Sequence, residues 1–242
     1  MKPIRIGSVG LSALPPRIAV PLVEPPSVNS LLRLRGLGAD LLELRLDLFH
    51  QSDENYLLGV VRKIRSATRL PLIATVRSDA AHPWPGPETR REKLFLSLLP
   101  FVDAVDLELE AALAGRVARR SRAQGRTVIL SHHDYRRALS PAELSLLLRR
   151  FRRLPGNILK IAVRARKPAE VIQLLYFTRG QSLPLITVVM GEWASLYRAL
   201  APLFGSRLTY AYYRKPTAPG QPALREMRDL YSRLYPTSKT RS

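Results

Sequence analysis

A chain of 242 residues, 46% of them hydrophobic, is long enough to bury a sizeable single core. It carries no cysteine, which excludes a disulfide framework and thiolate chemistry, and it has no apolar run of membrane-spanning length. The balance of 39 basic against 19 acidic residues, net +20, implies an anionic partner, surface or substrate.

The first twenty residues are broken by glycine and Pro15-Pro16 and lack a secretory apolar segment, so a cytoplasmic protein is expected. Apolar runs then follow at Ile18–Leu22, Asp40–Leu48, Leu72–Arg77, Ala104–Glu110, Thr127–His132, Ile158–Val163, Leu185–Met190 and Leu208–Tyr213. Each reads as a short buried strand, and helical patterns lie between them. In one, Ser140 is a natural N-cap, Pro141 suits the first helical position, and Glu143 completes a capping box. A second helical pattern spans residues 221–235, and the polar tail 236–242 is expected to fray.

Eight strand–helix units without a linker are the arithmetic of one α/β domain over residues 1–242, a single (β/α)8 TIM barrel. A doubly wound open sheet is the alternative, but no nucleotide fingerprint follows the first strand. The arginine-dense stretches 118–122 and 149–153 lie in helical patterns with apolar opposite faces. They read as solvated helix surface, because no zinc-finger spacing, aromatic RNA-binding motif or phosphate loop accompanies them. Neither a nucleic-acid nor a membrane partner is expected.

Residues two apart on a strand share a face. The helix-facing set must be apolar, so the charged set points to the barrel axis. This groups Glu43, Arg45, Arg77, Asp106, Glu108, His133 and Lys160 in one central region. Singly, each has a structural explanation: an internal ion pair, a charge balance or a satisfied core histidine. Together they form the pattern of a functional site, since buried ion pairs are a weak source of stability.

Lys160 is the lysine of these interior runs. A neutral amine attacks a ketone to form an imine, and the imine acidifies the neighbouring C–H for a base such as His133. Burial and Arg45 and Arg77 push the Lys160 pKa down; Asp106 and Glu108 push it up. The arginines suit a carboxylate. The set reads as imine-forming lyase or aldolase chemistry on a small anionic keto compound.

The runs ADLLELRLD (39–47), PLIATVRS (71–78), VDAVDLELE (102–110), VILSHHDY (128–135), ILKIAV (158–163), VVMGEWASLYR (188–198), FGSRLTY (204–210) and APGQ (218–221) resemble, in order and spacing, the type I 3-dehydroquinate dehydratases. The resemblance implies a (β/α)8 barrel that removes water from 3-dehydroquinate through a lysine imine, without metal or cofactor. By position it makes Lys160 the Schiff-base lysine and His133 the acid/base. It makes Glu43, Arg45, Arg77, Arg198, Thr217 and Gln221 substrate-binding, with Asp106, Glu108 and Met190 in a supporting inner layer. A homodimer is expected. Departures are visible too. The Glu-Gly-Gly usual after the strand-3 arginine is replaced near Ala81, His82 and Pro83, and Asp79, Glu88 or His82 are candidate substitutes for its glutamate. Ala194 and Tyr197 stand where the family has glycine and serine, and Thr217 where it has serine. The competing reading is an anionic-partner or nucleic-acid binder on a barrel with a degenerate site.

Overall fold

The computed structural model describes residues 4–12, 14–79 and 83–235. The expectations for the 236–242 tail and for Ala81 and His82 lie outside the described residues. A hairpin of β1 (Arg5–Ile6) and β2 (Val9–Gly10) precedes eight barrel strands. These are β3 (Ile18–Leu22), β4 (Leu41–Arg45), β5 (Leu72–Thr75), β6 (Ala104–Glu108), β7 (Thr127–Asp134), β8 (Ile158–Arg164), β9 (Leu185–Met190) and β10 (Thr209–Tyr210). Helices α1 (Val28–Gly36), α2 (Glu54–Ala67), α3 (Glu88–Leu98), α4 (Ala114–Ala123), α5 (Pro141–Arg152), α6 (Pro168–Arg179), α7 (Ala194–Leu200) and α8 (Leu224–Leu234) alternate with them. Among the described residues no helix is long and apolar enough to cross a membrane.

Every neighbouring pair in the eight-stranded sheet is parallel, in the order β10-β3-β4-β5-β6-β7-β8-β9. The order is sequential, so there is no reversal point, and the doubly wound alternative falls. The open ends meet where the Arg207 amide donates to the Leu185 carbonyl at 2.8 Å, completing a nearly closed barrel.

Local chemistry sets the units. Before α5 the Ser140 hydroxyl accepts from the Glu143 amide at 3.3 Å, and Glu143 accepts from the Ser140 amide at 2.8 Å. Leu144, Leu147, Leu148 and Phe151 then bury one face, worth about 1.5–3 kcal/mol each. Arg149, Arg150, Arg152 and Arg153 stay exposed on the other, as do Arg119, Arg120 and Arg122.

Four strands are shorter than the apolar runs. β4 ends at Arg45 and a turn of 3-10 helix covers Leu46–Leu48, across which Arg45 clamps Asp47. β5 ends at Thr75, which leaves the end of β6 without a ladder partner on that side. β10 keeps only Thr209 and Tyr210. β7 instead runs on to Asp134, because β8 continues to pair with it through Asp134↔Val163.

Inside the barrel, Ala19, Leu41, Ile73, Ala104, Ile129, Ile158, Ile186 and Leu208 form an apolar plug, and Ile6 and Leu11 of the hairpin region pack into the same cluster. The site lies above it, toward the C-terminal ends of the strands.

Candidate active site

Two residues beyond the plug, β4 to β8 turn polar: Glu43, Thr75, Asp106, Ser131 and Lys160 point inward. Strand register puts Thr75 beside Asp106 and Ser131 beside Lys160. The Lys160 Nζ donates to Asp106 Oδ2 at 2.8 Å and Glu43 Oε1 at 3.4 Å, and it sits 4.2 Å from the Tyr210 ring centroid. Burial alone would lower its pKa, but Asp106 and Glu43 together raise it, so the resting amine is an ammonium. The acids win, and the second one is Glu43 rather than Glu108.

Asp106 also accepts from Ser131 Oγ at 2.6 Å and Arg77 Nη2 at 3.2 Å. Burial pushes its carboxyl up; Lys160 and Arg77 outweigh that and hold it below the usual range. The other Arg77 nitrogen, Nη1, lies 2.5 Å from His133 Nδ1. His133 is held well below the ordinary imidazole value by burial first, then by the charges of Arg77, Lys160 and Arg45, so it is neutral near pH 7. Its ring stacks on Tyr135 with centroids 6.0 Å apart.

The far wall carries Arg198, 2% exposed, at the end of α7. It donates to the carbonyls of Tyr210, Val189 and Ala194 at 3.2, 3.0 and 3.0 Å. No described carboxylate pairs with it. Burial pulls it down to about 10, which still leaves a cation near neutrality. Gln221 spends its Oε1 on the Thr217 amide and hydroxyl, at 2.7 and 3.0 Å. This leaves the Gln221 amide nitrogen as a donor. Gly220 between them has φ +70°, and a Cβ there would meet the Gly191 carbonyl at 2.1 Å, so glycine is required. With Arg45 and Met190, the side chains of Lys160, His133, Arg198 and Gln221 line one pocket.

A family model described as type I 3-dehydroquinase matches residues 18–238. The chain belongs to the type I 3-dehydroquinase family. A 3-dehydroquinate dehydratase of Methanosarcina acetivorans is 34% identical over 95% of this chain and 99% of its own length. That of Methanoregula boonei is 37% identical over 87% of this chain and 95% of its own. The solved 3-dehydroquinate dehydratase of Geobacillus kaustophilus superposes with TM-score 0.89 at 26% identity, covering 98% of both chains. The Aquifex aeolicus enzyme superposes with TM-score 0.80 at 31% identity, covering 91% of this chain and all of its own.

Within this dehydroquinase fold, Glu108 stands apart from the central group. Its strand end lacks a β5 partner, and the carboxylate turns to the Ser78 amide at 2.5 Å and Arg91 at 3.0 Å, in a neighbouring cleft. Asp79 lies near the Tyr135 hydroxyl at 3.4 Å and Glu88 pairs with Arg91 at 2.8 Å; among the described residues neither accepts from His133. Tyr197 donates to Thr187 at 2.7 Å, deep under the helices, which gives that departure a structural role, and the Ala194 main-chain carbonyl accepts from Arg198 at 3.0 Å. Sequence reasoning missed Tyr210 beneath the lysine and Arg91, which is 1% exposed. The aromatic of SHHDY was the only pointer to Tyr135. Among the described residues no three His, Asp or Glu side chains converge as a metal site.

Proposed function

We propose that this chain, as one catalytic domain, removes water from 3-dehydroquinate to give 3-dehydroshikimate through an imine on Lys160. The observation that carries this is a buried lysine held between Asp106 and Glu43, with a neutral histidine at the same mouth. The substrate is a β-hydroxy ketone with a carboxylate. Arg198, a buried cation with no described carboxylate partner, takes that carboxylate, while Arg45, Thr217 and the Gln221 amide bind the hydroxyls.

The entering ketone displaces the longer Glu43 contact, and Lys160 passes a proton to the acid pair and attacks the carbonyl carbon. Water leaves and an iminium forms. His133 takes a proton from the adjacent carbon, and the electron pair moves into the enamine. The enamine then expels the β-hydroxyl, which leaves as water with the proton that His133 returns. Water hydrolyses the conjugated iminium and frees Lys160, so one molecule of water is released per turnover. The reaction needs no cofactor on this reading. Met190 and Glu108 support the walls rather than the chemistry.

Borohydride added during turnover should trap a reduced adduct on Lys160 alone, read by peptide mass. Labelling of another lysine would reject the assignment. We further place the enzyme in the cytoplasm as a homodimer. The exposed pair Ile172 and Tyr176, one turn apart on α6, supports a second copy, and sedimentation of wild type against Tyr176→Glu tests it.

A further inference from the structure

We propose that Arg77 covers the basic nitrogen of His133 in the substrate-free site and releases it only when substrate draws the guanidinium away. The proposal rests on the reading of His133 as the base. A guanidinium has only donors, so the 2.5 Å contact makes His133 Nδ1 the acceptor. The proton of the neutral ring then lies on Nε2, and the lone pair needed to abstract a proton is already engaged. No described carboxylate accepts from either ring nitrogen, so none of the described residues holds the opposite tautomer. Burial and the charges of Arg77 beyond β5, Lys160 on β8 and Arg45 on β4 act against a proton on the ring, the neighbouring His132 is a smaller influence, and Tyr135 of the loop after β7 stacks on the ring. The Tyr135 stack, at an interplanar angle of 25°, holds the ring plane; a half-turn within that plane would aim the Arg77 donor at a ring carbon, so Nδ1 is freed by movement of Arg77 instead.

Arg77 has somewhere to go. It is tethered to Asp106 through Nη2, and Asp106 holds Lys160 through its other oxygen, so one side chain links both reacting groups. An oxygen of the bound substrate gives the guanidinium, which has only donors, a second acceptor to which Nη1 can turn. When Nη1 turns to it, Nδ1 is free to take the proton beside the iminium. It becomes N–H and later returns that proton to the departing hydroxyl. Arg77 is therefore a positioning residue for His133 as well as a substrate contact.

The experiment is long-range 15N–1H correlation on enzyme labelled with 15N-histidine. Free wild type should show the Nε2–H tautomer for His133, assigned by its absence in His133→Gln; an Nδ1–H pattern overturns the proposal. In the borohydride-trapped adduct the pattern should change to Nδ1–H or imidazolium, and an unchanged Nε2–H pattern overturns the release. Arg77→Met should move the His133 titration upward by about one unit, as loss of a neighbouring cation demands. Arg77→Leu, which has no donor, serves if the Met variant does not fold, and in it the fixed tautomer should be lost; retention overturns the assignment to the Arg77 contact. Failure of borohydride labelling at Lys160 would sink the imine reading and leave the free-enzyme tautomer decisive. An Nδ1–H pattern with labelling intact would sink the Arg77 proposal alone.

Discussion

Two layers of the barrel interior differ by two residues along each strand. The lower one is Ala19, Leu41, Ile73, Ala104, Ile129, Ile158, Ile186 and Leu208. The upper one is Pro21, Glu43, Thr75, Asp106, Ser131, Lys160, Val188 and Tyr210. Both are buried, yet five consecutive strands of the upper layer are polar. The step between them is about 6.6 Å, two strand residues. The lower layer is held by apolar burial and tolerates no charge. The upper layer keeps charges because each one has a partner: Lys160 has Asp106 and Glu43, and Asp106 has Arg77 and Ser131. Such pairs add little stability over apolar packing. The contrast therefore separates stability, carried below, from chemistry, carried above.

The harshest way to break this contrast is a charge in the lower layer. Ile129→Asp places a carboxylate where Ile129 is fully buried among aliphatic residues. It should cost about 4 kcal/mol or more and leave little folded protein, read by denaturant titration. A stable, active Ile129→Asp would erase the distinction between the layers.

In the upper layer the fold should survive and the rate should not. His133→Ala should cut the rate by about a hundredfold or more with a normal melting curve, and the imine should still form. His132 pairs outward with Glu110 at 3.1 Å, so His132→Ala should matter far less. Equal losses at both would contradict the facing of β7.

Arg198 sharpens the comparison, since it is a buried charge with carbonyls but no described carboxylate around it. Arg198→Ala should cost about 2–5 kcal/mol in kcat/KM; Arg198→Lys should cost less because it keeps the charge, yet still a measurable amount because an ammonium cannot replace the planar fork. Exposed Arg150 should be nearly silent in the same assay. An unchanged kcat/KM for Arg198→Ala would reject the clamp.

The smallest effect is on stability against pH. The folded pKa of His133 lies below the ordinary 6.5, so in the window beneath 6.5 the unfolded chain binds a proton that the folded chain refuses. Stability is full above that value and falls as pH drops through the window. Asp106, lowered from 3.8, adds a further loss in a more acidic window, as the folded carboxylate is finally protonated. His133→Asn should flatten the first window only, measured by thermal melts in a pH series.

Much of this site was legible from alternation alone. Period two separated Glu43 from Leu42 and Leu44, put Asp106 on the face opposite Leu107, and set Lys160 inward between Leu159 and Ile161. The capping box at Ser140 and the count of strand–helix units are likewise local, because backbone geometry and side-chain shape fix them within a few residues. Strand ends were not legible. Whether a strand continues depends on its neighbour's ladder, which is why β6 stops at Glu108 and frees that carboxylate to swing to Arg91.

Height and angle around the barrel were decided only by closure. The stagger between strands brings Glu43 level with Lys160 across 117 positions of sequence and slides Tyr210 beneath the amine. It also sets Arg77 against His133, 56 positions apart. Alternation tells each inward side chain that it faces the axis. Only the register of seven hydrogen-bonded ladders and the closing bridge tells it which other side chain it meets there, and that meeting sets which groups carry charge.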